Sequence, residues 1–156
     1  MNGAAPAGHW VHANALLVGE AGLLLRGPSG AGKSALTLDL LQRAEARGDF
    51  AALVGDDRID LCARNGRLVA RGHPTIAGAL EVRGLGVLRL PYEGAAVIRA
   101  VIDILDPAEP FPDRLPDEAA QETVLCGVTL PRIVVSGRDI FAAAKIIQFI
   151  HMLVAK

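Results

Sequence analysis

Residues 27–34 read Gly27-Pro28-Ser29-Gly30-Ala31-Gly32-Lys33-Ser34 and match the phosphate-binding pattern G-x-x-x-x-G-K-S/T at every fixed position. The glycines let the backbone turn tightly with its N–H groups facing inward, because a Cβ would block the positive φ and the close approach of a phosphate. Lys33 supplies a point charge for the β- and γ-phosphates, and the Ser34 hydroxyl is placed to bind Mg²⁺. The stretch therefore predicts a site for the phosphates of a nucleotide and for Mg²⁺.

The flanks of this loop support the prediction. Residues 22–26 form a short apolar run typical of a buried strand. Residues 34–47 follow the pattern of an amphipathic helix, with Leu36, Leu40, Leu41 and Ala44 on its apolar face. A loop between a strand and a helix N-terminus favours an anion, because free N–H groups and the helix dipole point at it. The flanks disfavour the alternative, a glycine-rich turn that contains Lys-Ser by chance.

The composition is that of an ordinary globular chain. Its 156 residues suffice for one domain with a real core, and 51% of them are hydrophobic. The net charge of −1 offers no basic surface for nucleic acid. Two cysteines, Cys62 and Cys126, are too few for a disulfide framework or a zinc site. We expect both to be small buried hydrophobes in a reducing compartment.

Neither apolar stretch near the termini predicts export or a membrane span. Residues 16–25 are interrupted by two glycines and Glu20, and the N-terminus lacks a basic region. Residues 146–155 are interrupted by Gln148 and His151 and are too short to cross a bilayer. We therefore expect a cytoplasmic protein. Residues 1–8 are rich in Ala, Gly and Pro, which predicts a flexible terminus.

The rest of the chain predicts mainly strands. The expected strands are 15–18, 51–54, 58–63, 67–71, the end of 79–90, 97–105, 122–125 and 133–135. Asn65-Gly66 predicts a two-residue hairpin turn, because both residues tolerate φ > 0. Residues 106–117 carry four prolines and predict a mobile loop. Residues 139–154 predict a helix that is apolar almost all round and therefore buried in the fold or against a partner subunit.

Two adjacent acids, Asp56 and Asp57, follow the strand 51–54. An apolar strand that ends in acid is where a fold with a phosphate-binding loop keeps its second metal-facing carboxylate. On an extended chain the two side chains point to opposite sides, so we expect different roles for them. The alternative is that both residues only form a turn.

Five features together resemble the catalytic domain of HPr kinase/phosphorylase, the bacterial enzyme that phosphorylates a serine of the phosphocarrier HPr. They occur in the order of that family and cover about residues 10–154. They are His12, the loop 27–34, and the segments 53–58 (LVGDDR), 80–86 (LEVRGLG) and 113–115 (DRL). Their number and order make the resemblance far more specific than a phosphate-binding loop alone.

The resemblance implies a single catalytic domain with an α/β fold of the phosphoenolpyruvate carboxykinase type, a mostly β core and few helices. It further implies ATP and Mg²⁺ as cofactors, HPr as protein partner, and hexamers. The chain is similar to the short versions that lack the family's separate N-terminal domain. Residues 92–97 are a compressed counterpart of a longer glycine-rich loop, Pro116 stands where the family has glycine, and the helical C-terminus is abbreviated.

The resemblance also implies roles for individual residues. Asp57 would be the base that accepts the proton of the seryl hydroxyl, and Asp56 would orient metal and water. Glu81 would be the second magnesium ligand beside Ser34; without the family it would be an exposed strand residue. His12 would be catalytic or would orient a phosphate; the alternative is a structural role beside Trp10. Arg114 would reach the transition-state phosphate; the alternative is an arginine that only lies on the surface.

Two rival functions remain open at this point. One is a kinase of the same fold with another protein or a small molecule as acceptor, which the shortened loop favours slightly. The other is an ATP sensor without turnover, which the acids disfavour because pure binding needs no base. A guanine-nucleotide switch is disfavoured because the chain has no Asn-Lys-x-Asp segment, and a transporter ATPase because it has no Leu-Ser-Gly-Gly segment.

Overall fold

The computed structural model describes residues 8–155, so the predicted flexible terminus lies almost wholly outside the described residues. Two α-helices are present in this part of the chain, α1 (Lys33–Ala46) and α2 (Ala142–Val154). The strands are β1 (His9–Val11), β2 (Ala13–Val18), β3 (Ala21–Arg26), β4 (Ala51–Gly55), β5 (Ile59–Arg64), β6 (Arg67–Gly72), β7 (Ala79–Val82), β8 (Gly86–Arg89), β9 (Ala95–Leu105), β10 (Glu122–Leu125) and β11 (Val128–Ser136).

Nine strands form one mixed sheet in the order β1-β5-β6-β9-β3-β2-β4, with β11 beside β9 and β10 beside β11. The long strand β9 organises it, pairing with β6 through its first half and with β11 through its second half. Its other edge pairs with β3 in parallel. The hairpin β7–β8 forms a separate two-stranded sheet. The mostly β core with two helices confirms the predicted fold class.

Two apolar clusters lie among these elements. One packs α1 and α2 against residues of β2, β3, β9 and the hairpin β7–β8, and includes Leu23, Leu40 and Ile146, each with no exposed surface. The other joins β5, β6 and the opposite faces of β3 and β9, and includes Leu24 and Leu68. Since neighbouring strand residues point to opposite faces, Leu23 and Leu24 serve different clusters. The central strands are therefore apolar on both sides.

Strand directions determine where polar groups can meet. β2 runs antiparallel to both β3 and β4, with Ala13 opposite Arg26 and Ala15 opposite Gly55. The beginning of β2 therefore lies beside the ends of β3 and β4. Residues before and within β2, the loop after β3 and the acids after β4 come together at one edge of the sheet.

Several sequence predictions need correction. The lead-in 9–11 is a strand that pairs with β5, residues 79–90 contain a complete hairpin, and β11 is three times as long as expected. Cys126 is exposed in the turn between β10 and β11 at φ +50°, so the prediction of a buried residue holds only for Cys62. Helix α2 buries one face and leaves Met152 and Val154 exposed. Neither α-helix of residues 8–155 is long and apolar enough to cross a membrane.

An ion-pair network ties three neighbouring strands together just before the phosphate-binding loop. Asp103 on β9 accepts two hydrogen bonds of 2.8 Å from Arg26 at the end of β3 and one of 2.5 Å from Arg132 on β11. Arg132 also donates to the Ala120 carbonyl at 2.8 Å. Burial alone would raise the pKa of Asp103, but the hydrogen bonds from Arg26 and Arg132 outweigh it and hold this pKa below its ordinary value.

Replacing Asp103 by asparagine should lower the free energy of unfolding by about 1.5–3 kcal/mol at pH 7, because two arginines lose a charged acceptor. A depressed carboxyl pKa stabilises the fold above the unfolded pKa, about pH 4, and this contribution disappears as the pH falls through the folded pKa. Urea unfolding should therefore show a smaller difference between variant and wild type at pH 3 than at pH 7. Asp39→Asn, which breaks an exposed pair with Arg43, is the matched control. An equal difference at both pH values would contradict this account.

Candidate active site

A cleft of about 610 Å³ opens where β2, β3 and β4 place their polar residues. It brings together nine of the thirteen predicted site residues, from four separate segments of the chain. Its lining includes His12, Asn14, Ser29, Gly30, Gly32, Lys33, Ser34, Asp56, Asp57, Glu81, Arg83, Gly84 and Gly86. The cleft therefore contains the loop, both acids and the glycine-rich hairpin turn.

Glycine is required in the phosphate-binding loop for two different reasons. Gly30 and Gly32 have φ of +82° and +104°, which side chains other than glycine rarely adopt. Gly27 has an ordinary φ, but a Cβ there would lie 2.7 Å from the Ile104 carbonyl oxygen. Gly137, on the segment after β11, packs so closely that a Cβ would overlap the Ala31 carbonyl oxygen. The loop is thus folded over β9 and supported by residue 137.

The Lys33 side chain is almost fully buried beneath this loop, with 7% of its surface exposed. Its amine donates to the carbonyls of Gly27 at 2.7 Å and Pro28 at 3.3 Å, and lies 3.4 Å from His12 Nε2. Burial lowers the pKa of Lys33, whereas the nearby carboxylates Asp57 and Asp56 oppose the shift. The carbonyls of Gly27 and Pro28 therefore hold the Lys33 amine beside the loop.

Asp56 connects the helix α1 to the hairpin β7–β8. One carboxylate oxygen accepts from the Ser34 hydroxyl at 3.1 Å, and the other accepts from the backbone N–H of Glu81 at 2.9 Å. Leu80 and Val82 are buried against α1, so Glu81 between them points the opposite way, outward. Asp56 thereby holds the Glu81 segment beside Ser34 at the rim of the cleft.

Asp57 lies in a turn and has a different partner. Its carboxylate is 2.6 Å from His12 Nδ1, and both side chains are more than half exposed. The Lys33 amine near His12 Nε2 can only donate, so Nε2 accepts and Nδ1 carries the hydrogen toward Asp57. Both acids line the cleft, against the expectation of opposite sides, because φ of +68° at Asp57 turns the chain back. Their partners differ, and the expectation of different roles stays a prediction.

Sequence reasoning missed Asn14. Its side chain is fully buried and contacts Ser34, Thr37 and the backbone of Asp57. The available signal was an amide inside an otherwise apolar strand, because a buried polar group needs hydrogen-bond partners. The partners lie 20 to 43 residues away, so only the folded chain reveals them.

Arg114 is the one predicted catalytic residue that does not line the cleft in the described part of the chain. It is exposed on segment 106–117, and it is not among the cleft-lining residues that the structure describes. The start of this segment is anchored near the loop by Arg138, which donates to the Glu109 carbonyl at 3.0 Å and covers the Phe111 ring. The proposed role of Arg114 stays a prediction.

The oxygen-rich rim of the cleft fits Mg²⁺ in chemical character. This ion prefers oxygen ligands and is usually bound through one or two carboxylates together with substrate phosphates. Ser34 Oγ, Asp56 and Glu81 supply such oxygens beside the loop. Within residues 8–155 there is no cluster of three or more His, Cys, Asp or Glu side chains that could hold a metal ion. Ser34 and Glu81 are therefore the residues to test as magnesium ligands.

Comparison with known proteins decides the family. Residues 6–155 match the family model described as the HPr serine kinase C-terminal domain, which is nearly the whole chain. The chain belongs to this family. The resemblance drawn from the five sequence features is thereby confirmed.

Curated relatives in this family carry the name HPr kinase/phosphorylase. The protein of Mycoplasma mycoides subsp. mycoides is 36% identical over 76 residues, which are 49% of this chain and 22% of that protein. The protein of Streptococcus gordonii is 33% identical over 133 residues, which are 76% of this chain and 40% of that protein. The chain thus spans well under half the length of these two relatives.

A solved structure confirms the family's fold. The structure of the Hpr(Ser) kinase/phosphatase from Coxiella burnetii aligns with a TM-score of 0.69 and covers 94% of each chain. Its sequence identity of 23% makes this evidence for the fold alone.

Proposed function

We propose that the protein is an ATP-dependent kinase that phosphorylates a serine of the phosphocarrier HPr of the bacterial phosphotransferase system, and that also catalyses the reverse, phosphorylase reaction. One observation carries the proposal: a phosphate-binding loop with its lysine and a partly exposed carboxylate, Asp57, line one cleft and are joined through His12. The names of the relatives support the choice of HPr as acceptor.

In the forward reaction the seryl Oγ forms a bond to the γ-phosphorus of ATP while the bond to ADP breaks. Asp57 takes the hydroxyl proton. In the phosphorylase direction an oxygen of inorganic phosphate forms the bond to the seryl phosphorus, the bond to the serine Oγ breaks, pyrophosphate is released, and Asp57 returns a proton to the serine oxygen. His12 holds the Asp57 carboxylate by its Nδ1–H and orients it toward the acceptor. A base contributes only if it is both positioned and accessible, and Asp57 meets both conditions with 58% of its side chain exposed.

The loop and Lys33 bind the β- and γ-phosphates of ATP in this proposal. Phosphoryl transfer needs positioning and charge neutralisation more than covalent chemistry. Backbone N–H groups at Gly30 and Gly32 and the α1 N-terminus supply fixed partial positive charge. Mg²⁺ bound by Ser34 and Glu81, with Asp56 orienting Ser34, would neutralise charge on the phosphates. Arg114 would reach the transferring phosphate from its loop.

The test is transfer of phosphate from ATP and Mg²⁺ to purified HPr, read by mass spectrometry of the intact acceptor. HPr with its target serine replaced by alanine is the control. Seryl phosphorylation by the wild-type chain, reversed on addition of inorganic phosphate with release of pyrophosphate, is the expected result. ATP binding without transfer to HPr, followed by transfer to another hydroxyl acceptor, would instead favour a kinase with a different client. Binding without any transfer would favour an ATP sensor.

We further propose that the chain acts in the cytoplasm, where its phosphate donor is found, and assembles as a homo-oligomer, by resemblance a hexamer. Helix α2 and the residue before it support an assembly, because Phe141, Met152 and Val154 are 62%, 56% and 76% exposed. Exposed large apolar side chains are typical of interaction sites. Light scattering during size-exclusion chromatography should give about six times the chain mass of 16.3 kDa, and a monomer would contradict this.

A further inference from the structure

Asn14 is a polar side chain placed where the fold otherwise uses apolar ones. It lies in β2 between Ala13 and Ala15, and none of the three has exposed surface. A buried amide without partners destabilises the fold, so its presence requires hydrogen bonds. Asn14 makes three: Nδ2 donates to Ser34 Oγ at 3.3 Å and to Thr37 Oγ1 at 3.1 Å, and Oδ1 accepts from the Asp57 N–H at 2.9 Å.

The orientation of this amide follows from its partners. A backbone N–H can only donate, so the Asn14 atom facing Asp57 is the oxygen and the nitrogen faces the two hydroxyls. The Thr37 hydroxyl donates to the Lys33 carbonyl at 2.7 Å, so it accepts from Asn14. Ser34 likewise accepts from Asn14 and directs its own hydrogen to Asp56 at 3.1 Å. One lone pair of Ser34 Oγ then remains for a cation.

The third hydrogen bond acts on the backbone of the proposed base. Asp57 has φ of +68°, in the left-handed region that residues with a Cβ seldom adopt. The bond from its N–H to Asn14 Oδ1 favours this conformation, which in turn directs the carboxylate into the cleft beside His12. A single side chain on β2 therefore connects the helix α1 and the turn after β4.

We propose that Asn14 is a positioning residue, which orients the Ser34 hydroxyl for Mg²⁺ and holds the Asp57 turn in its working conformation. It touches neither the phosphates nor the acceptor hydroxyl in the proposed reaction and acts through Ser34 and Asp57. The inference rests on the proposed function, since positioning matters only in a site that binds ATP and Mg²⁺. It predicts that Asn14 affects magnesium dependence and turnover more than metal-free nucleotide binding.

Two substitutions test this role. Asn14→Leu keeps the number and branching of the side-chain heavy atoms and removes all three hydrogen bonds. Asn14→Ser keeps a polar atom that cannot reach all three partners. Affinity for a fluorescent ATP analogue is measured in Mg²⁺ and in EDTA, together with kcat for transfer to HPr. We expect kcat to fall roughly 10–100-fold in both variants. The ratio of the ATP-analogue affinity in Mg²⁺ to that in EDTA should fall by a similar factor, while the affinity in EDTA stays close to the wild-type value.

Leu68→Ala is the matched control, because it removes a fully buried side chain from the other apolar cluster, away from the cleft. It should lower the melting temperature without changing the ratio of the ATP-analogue affinities in Mg²⁺ and in EDTA. A folded Asn14 variant whose ATP affinity depends on Mg²⁺ as in the wild type would overturn the proposal. So would a wild-type protein whose ATP affinity is the same in Mg²⁺ and in EDTA. Failure of both Asn14 variants to fold would also overturn it. Absence of transfer to HPr by the wild type counts against the proposed function alone, since the binding comparison does not use HPr.

Discussion

Replacement of Lys33 by alanine is expected to lower phosphate transfer from ATP by about 10³-fold, the upper end of what one such contact contributes. The amine is held beside the loop by the Gly27 and Pro28 carbonyls, and nothing else in the cleft supplies a buried cation among the residues that the structure describes. Removing it leaves the charge of the transferring phosphate uncompensated. Initial rates of transfer to HPr measure the effect, and binding of a fluorescent ATP analogue should weaken in parallel.

Lys145→Ala is the matched control, because Lys145 is also a lysine but is exposed on α2 and pairs with Asp139. It should leave transfer unchanged. The melting temperature of Lys33→Ala should not fall substantially, because burial lowers the Lys33 pKa, which means that the fold disfavours its charged form. Transfer within about tenfold of wild type would contradict the proposed role, since oxyanion-type contacts are worth about 10²–10³-fold.

Asp57→Asn is expected to lose roughly 10²–10⁴-fold in kcat while keeping ATP affinity. Asparagine has the same shape and tolerates the positive φ of this turn as well as aspartate does, so the backbone bond to Asn14 should survive. What the variant lacks is a carboxylate that can take the seryl proton. The loss should therefore appear in kcat for transfer and in the reverse reaction alike, with binding of the ATP analogue unchanged.

The control for this variant is Asp39→Asn, which removes an exposed carboxylate from α1 without approaching the cleft. Transfer at the wild-type rate in Asp57→Asn would remove Asp57 from the role of base. Weakened ATP binding together with slow transfer would indicate that the residue supports the nucleotide site instead. The two outcomes are separated by measuring affinity and turnover on the same preparation.

The sequence predicted the part of the site that lies on one continuous stretch. The loop 27–34, its preceding strand and its following helix were each recognisable, because glycine placement and hydrophobic periodicity are local properties. The helix α1 begins one residue earlier and ends one residue earlier than predicted. The hairpin around Asn65-Gly66 was equally local, and φ is positive at both residues.

Contacts between segments far apart in the chain could not be predicted from the sequence in the same way. The resemblance to the family implied that His12, Asp57 and Glu81 are site residues. It did not imply which of these side chains contact each other. The 2.6 Å contact between His12 and Asp57 depends on antiparallel pairing that brings the start of β2 to the end of β4. The turn at Asp57 also placed both acids in one cleft, which alternation along an extended strand does not predict.

The sequence by itself therefore determined the phosphate-binding loop, the predominance of strands and the family, because each depends on residue type at fixed local spacing. Only the tertiary structure decided the burial and hydrogen-bond partners of Asn14, the exposure of Cys126 and the absence of Arg114 from the described lining of the cleft. The physical reason is that the burial of an amide, the exposure of a thiol and the place of an arginine depend on the residues around each of them. Those surroundings come from strand pairing between residues far apart in the chain.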